Sequence, residues 1–197
     1  MLKIGITGNI GGGKTTVSKI FEVLGIPVFY ADDAAKKVMV EDIILIDALK
    51  KAFGAEAYFS DGTLNRKHIA AIVFNDDAQL AKLNSIVHPA VFRAFDAWVG
   101  QVKNTPYVIK EAALLFESSS YKMCDYSVMV TAPLELRMQR VTQRDGLTLA
   151  EVESRNAKQF SEEKKIQLAD HVIRNDDTEL VIPQVLKLHR KFSSLAH

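Results

Sequence analysis

The sequence predicts an α/β fold: a five-stranded parallel sheet flanked by helices, with a helical insertion after the second strand and a helical lid before the last. Three observations carry that prediction. Short β-branched and aliphatic runs alternate with helical stretches, as parallel strands require, because each pair needs a crossover between them. The first run passes directly into GNIGGGKTT, a glycine-rich turn that opens a helix. Between the second and third runs lies a helical region, Ala34 to Val102, too long for a plain crossover.

Leu2 to Thr7 reads as a buried strand, Lys14 to Leu24 as a helix stopped by Gly25, and Ile26 to Tyr30 as a second short strand. The long region that follows has apolar spacing such as Leu80, Leu83, Ile86 and Val87. It is punctuated by Ser60-Asp61-Gly62 and by His88-Pro89, which reads as a turn between two helices. Tyr107 to Glu111, Tyr126 to Val130 and His171 to Ile173 complete the strands, bounded by Thr105-Pro106, Ala132-Pro133 and Asn175-Asp176. Leu134 to Leu168 is a charged helical stretch, weakly apolar for its length, and reads as a mobile flap. One domain over residues 1–197 is expected, containing a substrate-binding insertion at 34–103 and a lid at 137–168.

Charge is balanced, 25 Lys and Arg against 24 Asp and Glu, which gives no footprint for nucleic acid. The single cysteine, Cys124, excludes an intramolecular disulfide and fits a buried thiol in a reducing compartment. Glycines at 5, 8 and 11 interrupt the N-terminus before a signal segment could form, and no run reaches the ~18 apolar residues of a membrane span. A soluble, cytoplasmic protein without membrane partner is the expectation; oligomeric state is not encoded in any pattern found.

Gly8, Gly13, Lys14 and Thr15 satisfy GxxxxGK[ST] with a strand before and a helix after, the context in which that pattern marks a P-loop NTPase fold. Glycines let backbone amides turn inward around phosphate oxygens, and the positive end of the following helix points at the same anion. This turn and the start of the helix after it are therefore the expected seat of a triphosphate. Lys14 reaches the outer phosphates, Thr15 ligates Mg²⁺, and Thr16 adds a hydroxyl near the inner phosphates.

The motif names a donor and leaves the acceptor open. Asp32 and Asp33 follow the second strand, at the edge where ligands of open α/β sheets gather. A carboxylate there can accept the proton of an attacking hydroxyl, or cap a helix beginning at Ala34. Glu111 ends the third strand, where it holds a metal-bound water or faces solvent. Arg137, Arg140 and Arg144 recur at spacings of three and four and so share a helix face, with Arg155 on the next helix. They either stabilise charge on a transferred phosphoryl group or form a solvated basic face. His88 is a structural hydrogen bonder or a ligand, and Phe92, Phe95 and Trp98 form a packing stripe. A kinase for a small alcohol, a kinase for a nucleoside monophosphate and a nucleotide-dependent switch all remain open on these residues.

The P-loop, Ala31-Asp32, His88-Pro89, Leu114-Leu115-Phe116-Glu117, Arg140, Arg144 and Ala169-Asp170-His171-Val172-Ile173-Arg174-Asn175 stand together in one order. In that set the sequence resembles the dephospho-CoA kinase family over nearly its whole length. The resemblance implies transfer of the ATP γ-phosphate to the ribose 3′-hydroxyl of dephospho-CoA, the last step of coenzyme A synthesis, with ATP and Mg²⁺ required. It also implies a parallel-sheet core, a helical CoA-binding insertion and a lid. Carried over by position, the proposed base falls on Asp32, the ATP cradle on Gly11 to Thr16, the adenine-side asparagine on Asn175, the His-Pro turn on His88 and Pro89, and the lid arginines on Arg140 and Arg144. Thr7 and Glu111, ending their strands, join Asp32 and His88 as expected acceptor-binding residues; Lys14, Asp32, Arg140 and Arg144 are the expected catalytic set. Three positions depart from the family pattern: Tyr30 where aspartate is common, Ala113 where proline is, and Arg137 where glutamine is.

Overall fold

The computed structural model describes residues 1–74 and 76–196. The chain forms two compact units, one from Met1–Tyr30 with the chain from Val102 onward, the other from Ala31–Gln101.

The first unit is built on a parallel sheet of five strands: β1 (Leu2–Thr7), β2 (Val28–Tyr30), β3 (Tyr107–Glu111), β4 (Tyr126–Thr131) and β5 (His171–Arg174), in the order β2-β3-β1-β4-β5. β1 lies at the centre, paired from Leu2↔Tyr107 to Ile6↔Glu111 on one side and from Ile4↔Tyr126 to Thr7↔Met129 on the other. The chain leaves β1 toward β2 and later crosses from β3 to β4, so the direction of winding reverses between β1 and β3. Ligands of open α/β sheets bind outside the carboxyl ends of the strands at such a point. The second strand is shorter than its sequence pattern. Pro27 has no N–H for a ladder, although its carbonyl still accepts from Ile109 N at 2.9 Å.

Both faces of the sheet are covered, as parallel strands require. Ile4, Ile6, Tyr107, Ile109, Val128, Val130 and Ile173 meet Val17 and Phe21 of α1 (Lys14–Val23) and Val185, Leu188 and Phe192 of α9 (Val181–Leu195) in one cluster. The opposite face is closed by the β3–β4 connection. Leu115 and Cys124 pack so tightly there that a Cβ on Gly5 would lie 2.7 Å from Leu115 Cδ2 and 3.2 Å from Cys124 Sγ. Gln184 of α9 reaches the edge strand, accepting from Arg174 N and donating to Arg174 O, each at 2.9 Å.

The charged stretch before β5 forms three helices: α6 (Leu134–Asp145), α7 (Leu149–Ala157) and α8 (Glu162–Leu168). Gly146, at φ 65°, ends the first. A capping box of Thr148 and Glu151 starts the second, and Ser161 caps the third. Val141, Met138 and Val152 form a small apolar cluster with Ile10 and Leu147, which explains why so little apolar character is needed.

The second unit contains α2 (Ala31–Glu41), α3 (Ile43–Phe53), α4 (Arg66–Val73) and α5 (Asp77–Gln101). Leu45, Leu49, Phe53, Ile69, Leu83, Val87, Val91 and Phe95 are buried; Tyr58 donates to Met39 O at 2.6 Å and Arg93 pairs with Asp42 at 2.6 Å. Two sequence expectations are corrected here. His88-Pro89 is not a turn: both residues lie inside α5. Pro89 deprives only the Ser85 carbonyl of its helical donor, and burial of Val87, Ala90 and Val91 around it keeps the helix continuous. Asp32 and Asp33 do not cap a helix at Ala34, because α2 already begins at Ala31 and holds both in its first turn. Negative charge suits that position next to the helix dipole.

Burial pushes the Cys124 thiol up to about 11, with Lys110 opposing and Asp125 reinforcing the shift. A thiol titrating there holds on the order of a hundredfold less thiolate at pH 8 than an ordinary cysteine. Disulfide-exchange labelling of the native protein at pH 8 is expected to be slower by about that factor than labelling in guanidinium; equal rates would place the thiol in solvent.

Candidate functional site

β1 ends at Thr7 and the glycine-rich turn follows at the carboxyl edge of the sheet. Gly12 N donates to Asn9 O at 3.0 Å, closing the turn. Gly11 and Gly13 have φ of +79° and +96°, and neither position has room for a side chain. A Cβ on Gly11 would sit 2.5 Å from the Arg137 carbonyl oxygen, and one on Gly13 only 2.0 Å from Asn175 Nδ2. The turn is thus held against α6 on one side and the end of β5 on the other. α1 begins at Lys14, and the first turn of a helix leaves amides without intrahelical acceptors, at the positive end of the dipole. Lys14 Nζ donates to Gly8 O at 3.1 Å, which folds the ammonium back over the same hollow. Thr15 and Thr16 are exposed on the first turn of α1.

Thr15 Oγ1 donates to Glu111 Oε2 at 3.2 Å, and Glu111 is only 7% exposed. This hydroxyl–carboxylate pair bridges the two sides of the point between β1 and β3 where the winding reverses. Its donors are hard oxygens, which suit Mg²⁺ rather than a soft metal. Among the described residues no group of three or more His, Cys, Asp and Glu could hold a metal; a Mg²⁺ ion at Thr15 would take its remaining ligands from phosphates and water.

Thr7 is fully buried and its hydroxyl donates to Ala113 O at 3.4 Å. Its side chain ties the end of β1 to the loop after β3. Asn175 lies against the P-loop, its Nδ2 donating to Gly12 O at 3.0 Å and its N–H to Thr131 O at 2.8 Å. Arg140 holds the Asn175 carbonyl at 2.9 Å and Asp177 at 3.5 Å.

The three arginines of α6 occupy three environments rather than one basic face, because the start of the helix lies against the P-loop and its end runs into solvent. Arg137 is 4% exposed. Its guanidinium donates to Ala132 O at 2.9 Å, Ile10 O at 3.4 Å, Asn156 Oδ1 at 2.9 Å and Glu162 Oε2 at 3.1 Å. Burial raises the Glu162 carboxyl, and Arg137 opposes that rise; Thr131 also donates to Glu162. Arg144 is exposed and grips its neighbour Asp145 at 2.7 and 2.8 Å, which raises the guanidinium and lowers the carboxyl.

Asp32 and His88 belong to the other unit. Asp32 follows β2 by two residues and is exposed, while Asp33 beside it pairs with Lys36 at 2.7 Å. The His88 ring stacks with Phe92 at a centroid distance of 6.2 Å.

Sequence reasoning missed the anchor of the helical stretch. Asn9 Nδ2 donates to Phe160 O at 3.0 Å, Ile10 N to Gln159 Oε1 at 2.9 Å, and Phe160 N to Glu117 Oε1 at 2.7 Å. Fully buried Lys165 donates to Ala113 O at 2.9 Å and pairs with Glu117 at 3.0 Å. Burial lowers the Lys165 ammonium below the usual lysine range, and Glu117 opposes that fall. The available signal was Leu114-Leu115-Phe116-Glu117, a run that ends a buried strand connection on a carboxylate; its partner is forty-eight residues away by number (165 − 117) and no local pattern links them.

Gly13→Ala combines a strained φ with a collision at Asn175. The two together are expected to weaken Mg²⁺-nucleoside triphosphate binding by about tenfold or more, measured by titration calorimetry; unchanged affinity would remove the cradle from this turn.

The sequence model of the family described as CoaE, dephospho-CoA kinase, matches residues 2–180. A dephospho-CoA kinase of Salinibacter ruber is 42% identical over 180 residues, 90% of each chain. A solved structure from Thermus thermophilus superposes with a TM-score of 0.83 at 34% identity over 95% of both chains. A dephospho-CoA kinase from Campylobacter jejuni superposes with a TM-score of 0.68 at 25% identity, covering 99% of this chain and 98% of the other. The P-loop, the reversed winding beside it and these likenesses agree, and the chain belongs to the dephospho-CoA kinase family.

Proposed function

We propose that this protein transfers the γ-phosphoryl group of ATP to the ribose 3′-hydroxyl of dephospho-CoA, releasing coenzyme A and ADP. The observation that carries the reading is the P-loop of a chain in this family, with Lys14 folded over the hollow at the start of α1.

Phosphoryl transfer asks for positioning and charge neutralisation more than for covalent chemistry. The amides of Gly11 to Thr16 bind the triphosphate, and Lys14 moves from the Gly8 carbonyl to the outer phosphates. Thr15, with Glu111 beside it, would hold a Mg²⁺ ion, which would supply further charge neutralisation. Asp32 accepts the proton of the 3′-hydroxyl as that oxygen bonds to the γ-phosphorus, and the bond from phosphorus to the β–γ bridging oxygen breaks to leave ADP. Arg140 and Arg144 bring guanidinium groups to the equatorial oxygens when residues 137–168 close as a lid. Arg144 gives up an exposed, water-screened pair with Asp145 to do so. Asn175 serves the base side of ATP. Residues 34–103, with His88, bind the acceptor, and Thr7 acts by fixing the end of β1 rather than by touching it. Among the described residues no helix is long and apolar enough to cross a membrane, and small-molecule substrates in the cytoplasm complete the reading.

A coupled assay is expected to show ADP release that depends on dephospho-CoA. Asp32→Asn is expected to lower kcat by about 10²-fold or more while ATP affinity stays within about twofold. Full turnover by that variant would take the proton from Asp32 and assign it elsewhere.

A further inference from the structure

We propose that Gln159 is a positioning residue for ATP: its carboxamide bridges the P-loop to the loop after β3, so that the segment returning from α7 to α8 sets the shape of the phosphate cradle. The proposal rests on the kinase reading above for the identity of the nucleotide, and on geometry for everything else.

The bridge has two ends. Gln159 Oε1 accepts the N–H of Ile10 at 2.9 Å, inside the glycine-rich turn, and Gln159 Nε2 donates to Ala113 O at 3.4 Å. A carboxamide is suited to this because it carries an acceptor and donors on one rigid plane. The far end is a fixed point. The same Ala113 carbonyl also takes Lys165 Nζ at 2.9 Å and Thr7 Oγ1 at 3.4 Å, and both of those side chains are fully buried. The near end is where the turn has most to lose. Ile10 lies between Gly8 and Gly11, and its carbonyl is held by Arg137 at 3.4 Å. With the N–H on Gln159 and the carbonyl on Arg137, both backbone dipoles of Ile10 are committed to groups from the helical stretch. The peptide orientation that aims the following amides at the phosphates is thereby set from outside the loop.

A second observation points the same way. Asn9 Oδ1 and Glu117 Oε2 are buried polar atoms with no hydrogen-bond partner among the described residues. Their sister atoms grip the two sides of residue 160, Asn9 Nδ2 its carbonyl and Glu117 Oε1 its N–H. The segment that carries Gln159 is thus held on both flanks, by the P-loop on one side and by the loop after β3 on the other.

The test uses the full-length protein with Gln159→Met, which keeps length but loses both bonds, and Gln159→Asn, which keeps the carboxamide but is one methylene too short to span. A third variant, Gln159→Glu, can still accept from Ile10 but cannot donate to Ala113. Two readouts are taken: Mg²⁺-ATP affinity by calorimetry without acceptor, and amide hydrogen exchange of residues 9–13 without nucleotide. Gln159→Met and Gln159→Asn are expected to weaken ATP binding about tenfold and to speed exchange at Ile10, with KM for ATP rising and KM for dephospho-CoA within about twofold. Gln159→Glu is expected to keep Ile10 protected. Wild-type ATP affinity together with wild-type exchange in the Met and Asn variants would overturn the proposal, whatever their melting temperatures. A wild-type protein that binds ATP but does not phosphorylate dephospho-CoA would sink the acceptor assignment and leave this comparison readable.

Discussion

One buried guanidinium organises the region around the P-loop. Arg137 reaches acceptors from four stretches of chain: the turn between β4 and α6, the glycine-rich turn, α7 and α8. A planar group with five donors can hold that many acceptors at fixed angles, which an ammonium cannot. Burying it without a carboxylate would be prohibitive, so Glu162 accompanies it, and Thr131 at the end of β4 in turn fixes Glu162. Of the three short helices after β4, α6 and α7 share an apolar cluster of only a few side chains, and α8 is tied in by the buried pair of Lys165 with Glu117. Their placement against the sheet is therefore largely polar and directional. Such an arrangement can be remade in a second position more readily than a large apolar interface, because hydrogen bonds lost on leaving are replaced by water.

The sheet plays the opposite part. Its two faces are closed by apolar packing, with Phe21, Tyr107 and Phe192 in edge-to-face contact at 5.6 to 6.3 Å. The strands then deliver Thr7, Glu111 and Thr131 at neighbouring carboxyl ends, and each of these uses its side chain to fasten another part of the chain to the sheet: a loop, the first helix, or the stretch before β5. The P-loop follows a strand end for a mechanical reason. Loops alone cannot hold amides within hydrogen-bonding tolerance of a triphosphate.

Local chemistry was legible from the sequence and remote chemistry was not. Gly13, Lys14 and Thr15 could be placed because their motif is contiguous and has one structural context. The strands could be placed because parallel ladders favour largely apolar, β-branched runs such as LKIGIT and YSVMVT. His88-Pro89 misled because proline's ban on helix interiors is a penalty, not a prohibition, and burial of Val87, Ala90 and Val91 outweighs it. Arg137 and Arg144 sit seven residues apart on one helix, and periodicity assigns them to the same face. Only the packing of a distant loop makes one of them an internal strut and leaves the other in water. Lys165 lies in EEKKIQL, a helix that reads as wholly solvated; nothing near it announces that one of its four charges is sealed inside against Glu117.

Gln184 has a consequence for how copies of this chain coexist. Parallel sheets form late and slowly, since every pairing joins distant segments, and during that interval an open border invites another molecule to extend it. At the β5 border the carboxamide of Gln184 imitates a neighbouring strand, engaging both the N–H and the carbonyl of Arg174. The opposite border is formed by β2, only three residues long. One side is plugged and the other is too brief to serve as a template, so growth of the sheet from molecule to molecule is discouraged at each end, a safeguard against aggregation written into the outermost elements of the fold.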